Sequence, residues 1–132
     1  MNFTFLFLVA CAFCKKLVVY QNAWDSELYK KLAEFAEETG TLEIVNCDTY
    51  KDLRFTVENF DVFGVIVPGV GNIEFSVDLD LSRASIYIAF VSNIEDYTRK
   101  YLGFTEEEQK NMDKLHVFNF CDDILGFLRD EF

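Results

Sequence analysis

The chain has 132 residues, of which 51% are hydrophobic and 17% aromatic, which is enough apolar surface for one folded domain with a substantial core. Its 12 basic residues are outnumbered by 23 acidic residues, giving a net charge of -11. This charge argues against binding to nucleic acid or to an anionic membrane surface, because both interactions need positive charge on the protein to displace counterions.

The first residues form an apolar run that ends at the small-residue triplet Ala10-Cys11-Ala12 and is followed at once by two lysines. This pattern predicts a secretory signal peptide over residues 1–14, with cleavage near Ala12 or Cys14. A buried first strand is the alternative, because alternating apolar runs of this length also form core strands. No segment reaches the ~20 apolar residues of a membrane span, so we expect no membrane insertion of the mature chain.

Strands and helices are predicted to alternate in the first half of the chain. The β-branched run Leu17–Tyr20 predicts a buried strand. Apolar residues at three- and four-residue steps then predict a helix that is capped by Asn22 or Asp25, runs to Thr39 and ends at Gly40. The next predicted elements are a strand, a helix and a strand over Thr41–Cys47, Tyr50–Asn59 and Phe63–Val67.

The second half begins with a turn at Pro68, followed by Ile73–Val77, whose alternation predicts a half-buried strand paired with the third strand as a hairpin. Ala84–Val91 is compatible with strand or helix, and its Ile, Tyr, Phe and Val content favours a strand. The remaining predicted elements are a helix over Ile94–Leu102, a strand over Leu115–Phe120 and a helix from Asp122 onward. This alternation indicates an α/β layered domain over residues 15–132, with a mixed central sheet flanked by helices.

The last four residues are Arg129, Asp130, Glu131 and Phe132, and they resemble the Lys-Asp-Glu-Leu and His-Asp-Glu-Leu tails that retain proteins in the endoplasmic reticulum. The alternative interpretation is an ordinary helix end. A signal peptide and a retention tail would act in the same pathway. Together they predict residence in the lumen of the endoplasmic reticulum.

Four cysteines are present, Cys11, Cys14, Cys47 and Cys121. An oxidising lumen would permit a disulfide between Cys47 and Cys121, and the sequence leaves that pairing open because it does not give their separation. His116 is the only histidine, so no zinc cluster or Ser-His-Asp triad is predicted around it. We expect no metal and no cofactor.

Three consecutive segments, Leu17–Tyr20, Trp24–Ala36 and Leu42–Asp48, together resemble the first half of a thioredoxin-fold domain. In that family the active-site cysteines lie at the start of the first helix, where this chain has Asp25-Ser26-Glu27-Leu28. The family's cis-proline position corresponds to Val62-Phe63-Gly64, which has no proline. The loss of both features resembles the redox-inactive middle domains of protein disulfide isomerases. The later segments that start at Ser85, Arg99 and Leu115 resemble the second half of such a domain.

The resemblance implies a redox-inactive protein that binds polypeptide or a partner protein, as a folding assistant or a scaffold. The high phenylalanine content supports this expectation, because exposed apolar patches mark interaction sites. A structural subunit of a larger assembly is an alternative. Trp24, between the first predicted strand and the first predicted helix, is either a core anchor or a surface contact, and packing in the core or at its rim is the more usual role. The candidate partner-binding residues are Phe60, Val62, Phe63, Phe104 and Phe118.

A second resemblance points to a different activity. Cys11-Ala-Phe-Cys14-Lys-Lys is similar to the Cys-Pro-Phe-Cys-Lys-Lys motif of glutaredoxins, which implies a thiol-disulfide oxidoreductase using Cys11 and Cys14 if the N-terminus is retained. The β-branched run Leu17–Tyr20, which follows this motif immediately, argues against the oxidoreductase. Such a run is a poor first turn for the helix that would lower the pKa of the nucleophile Cys11.

Overall fold

The computed structural model of the protein describes residues 14–72, 79 and 83–131. The predicted strand Ile73–Val77 lies outside the described residues, as do Ala10, Cys11, Ala12 and Phe132. The strands are β1 (Lys15–Tyr20), β2 (Leu42–Cys47), β3 (Val62–Pro68), β4 (Ala84–Phe90) and β5 (Leu115–Phe118). The helices are α1 (Ser26–Thr39), α2 (Tyr50–Asn59), α3 (Ile94–Leu102), α4 (Glu106–Asn111) and α5 (Cys121–Glu131).

The five described strands form one sheet in the order β2-β1-β3-β4-β5, and all four pairings are parallel. The α/β class and the flanking helices are confirmed, whereas the prediction of a mixed sheet is wrong for these strands. The segment Ala84–Phe90 is a strand, as its composition indicated. Strand direction escaped prediction because an apolar pattern specifies which residues are buried and not which way the strand runs.

Two layers of core residues cover the two faces of the sheet. Side chains alternate along each strand, so Leu17 and Val19 of β1 face one layer while Val18 and Tyr20 face the other. The first layer contains α1 and α5, which bury Leu28, Leu32, Phe35, Ile124, Leu125 and Leu128. The second contains α2 with Leu53 and Val57, and residues packed from the region of α3 and α4.

Helix ends agree with the local sequence signals. The Asp25 carboxylate accepts hydrogen bonds from the Glu27 and Leu28 backbone N–H groups, which makes Asp25 rather than Asn22 the N-cap of α1. Gly40 ends that helix at a φ angle of 68°, where glycine has no steric penalty. Among the described residues, no helix combines the length and the apolar character needed to cross a membrane.

Candidate binding surface at the carboxyl edge of the sheet

The carboxyl edge of the sheet contains the point at which the winding of the chain reverses. The chain passes from β1 through α1 to β2, and then through α2 to β3 on the other side of β1. Because α1 and α2 cover opposite faces, the carboxyl ends of β1 and β3 border this reversal point. In doubly wound sheets of this strand order, ligands bind at that point.

The segment that follows β1 is a left-handed turn, Gln21–Trp24. Its four residues have φ angles of 49°, 52°, 54° and 56°, and none of them is glycine. The left-handed conformation costs roughly 1–2 kcal/mol for each such residue, with a smaller cost for Asn22. Residues other than glycine in this left-handed conformation are concentrated at binding and catalytic sites, where the surrounding structure stabilises them.

A hydrogen-bond network between the ends of β1 and β2 fixes this turn. The Asn46 amide oxygen accepts from the Asn22 backbone N–H at 2.7 Å, and the Asn46 amide nitrogen donates to the Asp48 carboxylate at 2.8 Å. Gln21 Nε2 donates to the Asp48 carbonyl at 3.1 Å, while Gln21 Oε1 accepts from Trp24 Nε1 at 2.7 Å. The network therefore connects the indole, through the Gln21 side chain, to the residue that follows β2.

Trp24 is held in place and yet remains 63% exposed. Its ring lies against Gly69, just after β3, so closely that a Cβ built at Gly69 would be 2.3 Å from Trp24 Cζ3. Gly69 has a φ angle of 76°, and its backbone N–H donates to the Phe90 carbonyl at 2.7 Å. The indole thus bridges the carboxyl ends of β1 and β3 and presents apolar surface to solvent.

A second exposed aromatic side chain comes from the segment after β5. Phe120 is 63% exposed, and the next residue, Cys121, donates from Sγ to Asp25 Oδ2 at 3.5 Å. Since Asp25 directly follows Trp24, the two exposed aromatic residues lie on adjoining segments. We define the Trp24 surface as these two side chains and the two residues that support the indole: Trp24, Phe120, Gln21 and Gly69.

The Cys47 and Cys121 thiols are poorly suited to redox chemistry. Burial raises the pKa of Cys47, although its contact with Thr56 at 3.6 Å acts in the opposite direction. Burial, and then the hydrogen bond to Asp25, raise the pKa of Cys121 to about 11. Because the thiolate is the nucleophile, the raised pKa values of both groups disfavour nucleophilic attack near neutral pH.

The disulfide that the sequence left open is not formed. Cys47 and Cys121 are both free thiols, and they pack against opposite faces of the sheet. The sheet itself therefore separates the two sulfur atoms. Sequence reasoning could not anticipate this, because the face of each residue depends on strand order and on the path of the terminal helix.

Cys14 is half-buried and directly precedes β1, which begins at Lys15. The residues after it form a strand rather than the first turn of a helix. Cys11 lies outside the described residues. The paired use of Cys11 and Cys14 therefore stays a prediction.

The predicted partner-binding residues are scattered, and most contribute to the core. Only Phe60 is exposed, at 50%, whereas Val62 is buried and cannot form a contact surface. Phe63 packs against the core layer of α1 and α5 with Lys15 above its ring, 4.9 Å from the centroid. Phe104 and Phe118 are also half-buried against the two layers. Composition revealed an excess of phenylalanine but not its location.

Sequence reasoning did not identify the exposed Phe55 and Phe120, and for the exposed Trp24 it favoured core or rim packing over a surface contact. A positional signal was available for Trp24 and Phe120, because they lie in the segments that follow β1 and β5, and the carboxyl ends of parallel strands form the usual binding edge. Phe55 instead pairs with Phe60, with ring centroids 6.3 Å apart in an edge-to-face arrangement. That pair lies near the start of β3, at the opposite edge of the sheet.

The described residues of the predicted retention tail, Arg129, Asp130 and Glu131, are part of α5. Arg129, Asp130 and Glu131 are exposed, and the Arg129 guanidinium lies 5.5 Å from the ring centroid of Phe35 and 3.9 Å from the carboxylate of Glu38. Of these three residues, Arg129 is the one that contacts α1 and anchors the tail there.

His116 is exposed on β5, with its ring centroid 4.6 Å from that of Phe127. In the part of the chain that the structure describes, no group of three or more His, Cys, Asp or Glu side chains is arranged to hold a metal ion. Comparisons with protein-family models, curated proteins and solved structures gave no match to this chain. Its function is therefore inferred from the geometry and chemistry of the Trp24 surface.

Proposed function

We propose that this protein is a polypeptide-binding module without thiol redox activity, and that the Trp24 surface is its contact site. The observation that carries the proposal is the position of Trp24. A large indole is 63% exposed, yet it is fixed by a hydrogen bond to Gln21 and by packing on Gly69. A rigid exposed aromatic side chain loses little conformational entropy on binding, which is why tryptophan is enriched at interaction hot spots.

The redox-inactive part of the proposal rests on the chemistry of the thiols. Cys47 and Cys121 have raised pKa values, and neither is positioned beside another described cysteine. The resemblance to the middle domains of protein disulfide isomerases is in keeping with this, although the parallel β3 differs from the mixed sheet that the resemblance implies. Membership of the thioredoxin-like group and residence in the endoplasmic reticulum both stay predictions.

Intrinsic fluorescence offers a direct test, because Trp24 is the only tryptophan in the chain. A short uncharged peptide containing leucine and phenylalanine should shift the emission of Trp24 to shorter wavelength and reach saturation. Binding measured by calorimetry should be lost in Trp24→Ala and retained in Phe55→Ala, which removes an exposed aromatic side chain at the opposite edge. Equal binding by both variants would refute the assignment of the surface.

Thiol chemistry gives the corresponding test of the oxidoreductase alternative. A redox-inactive module should not catalyse the reduction of a disulfide substrate, and Cys14→Ser should change nothing. Disulfide reductase activity that disappears in Cys11→Ser or Cys14→Ser would establish the alternative. A structural subunit would bind no peptide but would co-purify with fixed partners.

A further inference from the structure

The Trp24 surface is bordered by carboxylates. Glu27 is in the first turn of α1, Asp48 follows β2, and Asp122 and Asp123 are in the first turn of α5. The side chains of Glu27 and Asp122 are 71% and 86% exposed. We define the acidic rim as these four residues: Glu27, Asp48, Asp122 and Asp123.

Cations near the rim neutralise only part of its charge. Lys31 bonds to both Glu27, at 3.4 Å, and Asp122, at 2.8 Å, and is the basic side chain in contact with the rim. Lys51 lies in the first turn of α2, three residues after Asp48. The carboxylates of Asp48 and Asp123 have no described ion-pair partner, so the rim keeps a negative surplus.

Helix N-termini also lie at this edge and carry positive partial charge, which would favour an anion. Each contributes the equivalent of about half a unit charge, and it acts only over the first turn. At α1 the Asp25 carboxylate already accepts from the Glu27 and Leu28 N–H groups, and at α2 the Thr49 hydroxyl accepts from the Asp52 N–H, so part of this donor capacity is used. The full negative charges of the exposed carboxylates therefore dominate the field that an approaching ligand meets.

From this juxtaposition we infer that the occupant of the Trp24 surface is a basic polypeptide segment, with apolar side chains that contact Trp24 and Phe120 and flanking Lys or Arg residues that pair with the acidic rim. The inference rests on the proposed function and specifies its ligand. A second copy of this chain is a poor occupant, because it would bring two acidic rims together on molecules of net charge -11. Complementary charge supplies specificity and faster association, while the apolar contact supplies most of the affinity.

Three peptides that share one apolar core and differ only in their flanking residues test the inference. At low salt the lysine-flanked peptide should bind at least about fivefold more tightly than the serine-flanked one, and the glutamate-flanked one should bind most weakly. The differences should shrink as salt is raised, because rim charges are exposed and screened.

Two matched double variants show whether the preference for the basic peptide depends on the acidic rim or on the net charge of the protein. Asp48→Asn combined with Asp123→Asn removes two rim carboxylates, whereas Glu34→Gln combined with Glu37→Gln removes two exposed carboxylates from the outer face of α1. The rim variant should lose most of the preference for the basic peptide, and the α1 variant should keep it. Circular dichroism confirms that both variants fold.

The outcomes distinguish the two levels of the proposal. Equal affinity for all three peptides, still lost in Trp24→Ala, overturns the inference and leaves the proposed function standing. Equal loss of the preference in both charge variants also overturns it, because the attraction is then due to net charge. Binding of the basic peptide that survives Trp24→Ala refutes the proposed contact site itself.

Discussion

The indole ring of Trp24 occupies the space that a side chain at residue 69 would need. A Cβ at Gly69 would be 2.3 Å from Trp24 Cζ3 and 2.9 Å from Trp24 Cη2. The two residues come from the segments that follow different strands, β1 and β3, so their contact joins the two carboxyl ends between which the winding reverses. Because Gly69 has no side chain, the exposed ring of Trp24 can occupy this position.

Gly69→Ala should displace the indole and destabilise the fold. The new methyl group clashes with the ring, and alanine is strained at a φ angle of 76°, so we expect a loss of about 1–3 kcal/mol in the free energy of unfolding. Urea unfolding measures this loss, and a shift in the fluorescence emission of Trp24 reports the displacement of its ring. Gly71→Ala is the matched control, because nothing lies within 4 Å of its Cβ position. Similar behaviour of the two variants would contradict the packing described.

Gln21→Ala should loosen the indole without unfolding the protein. The substitution removes the hydrogen bond that Gln21 accepts from Trp24 Nε1 and the one that it donates to the Asp48 carbonyl. The expected loss in the free energy of unfolding is about 1 kcal/mol. Time-resolved fluorescence anisotropy should reveal faster local motion of Trp24. Lys30→Ala, an exposed change on α1, should leave that motion unaltered. Unchanged anisotropy in Gln21→Ala would mean that Gly69 packing alone fixes the ring.

Asp25→Asn should make the Cys121 thiol more reactive. Asparagine caps a helix about as well as aspartate, so α1 should persist, while the negative charge that helps raise the pKa of Cys121 to about 11 is removed. Alkylation at pH 8, followed peptide by peptide with mass spectrometry, should accelerate at Cys121 and stay constant at Cys47. An unchanged rate at Cys121 would show that burial alone sets its pKa.

The same thiol makes a small pH-dependent contribution to stability. Its folded-state pKa lies above the ordinary value of 9.0, so the folded state favours the protonated form. The contribution is complete below pH 9 and is lost as the pH rises toward 11. Cys121→Ser should therefore flatten the decline in melting temperature over this interval. If the melting temperature of the variant declines just as steeply, other titrating groups cause the decline.

Deletion of residues 130–132 should separate the predicted retention signal from the packing of the tail. Asp130 and Glu131 are exposed, and the deletion keeps Arg129 over Phe35, so the free energy of unfolding should change by less than about 0.5 kcal/mol. If the tail is a retention signal, the truncated chain should appear in the medium of secretory cells. Arg129→Ala is the complementary control, which should lose up to about 1 kcal/mol through its contact with Phe35. Unchanged intracellular retention after the deletion would refute the signal.

Local sequence signals were sufficient for most of the secondary structure. The cap at Asp25, the left-handed glycine at Gly40 and the apolar spacing of Leu28 and Leu32 define α1, and each acts within a few residues. The strand at Ala84–Phe90 likewise followed from its β-branched and aromatic content. These features are local, so a single sequence contains them.

The arrangement of the strands and the binding surface depended on tertiary structure. The parallel direction of β3, the separation of Cys47 from Cys121 by the sheet, and the packing of Trp24 on Gly69 all involve residues distant in sequence. Phe63 and Phe120 are the same residue type, and one packs on the core while the other is exposed. The sequence by itself determined which segments form helices and strands, because short-range capping and periodicity control them. Only the folded chain decided which aromatic side chains face solvent, because strand order determines what covers each one.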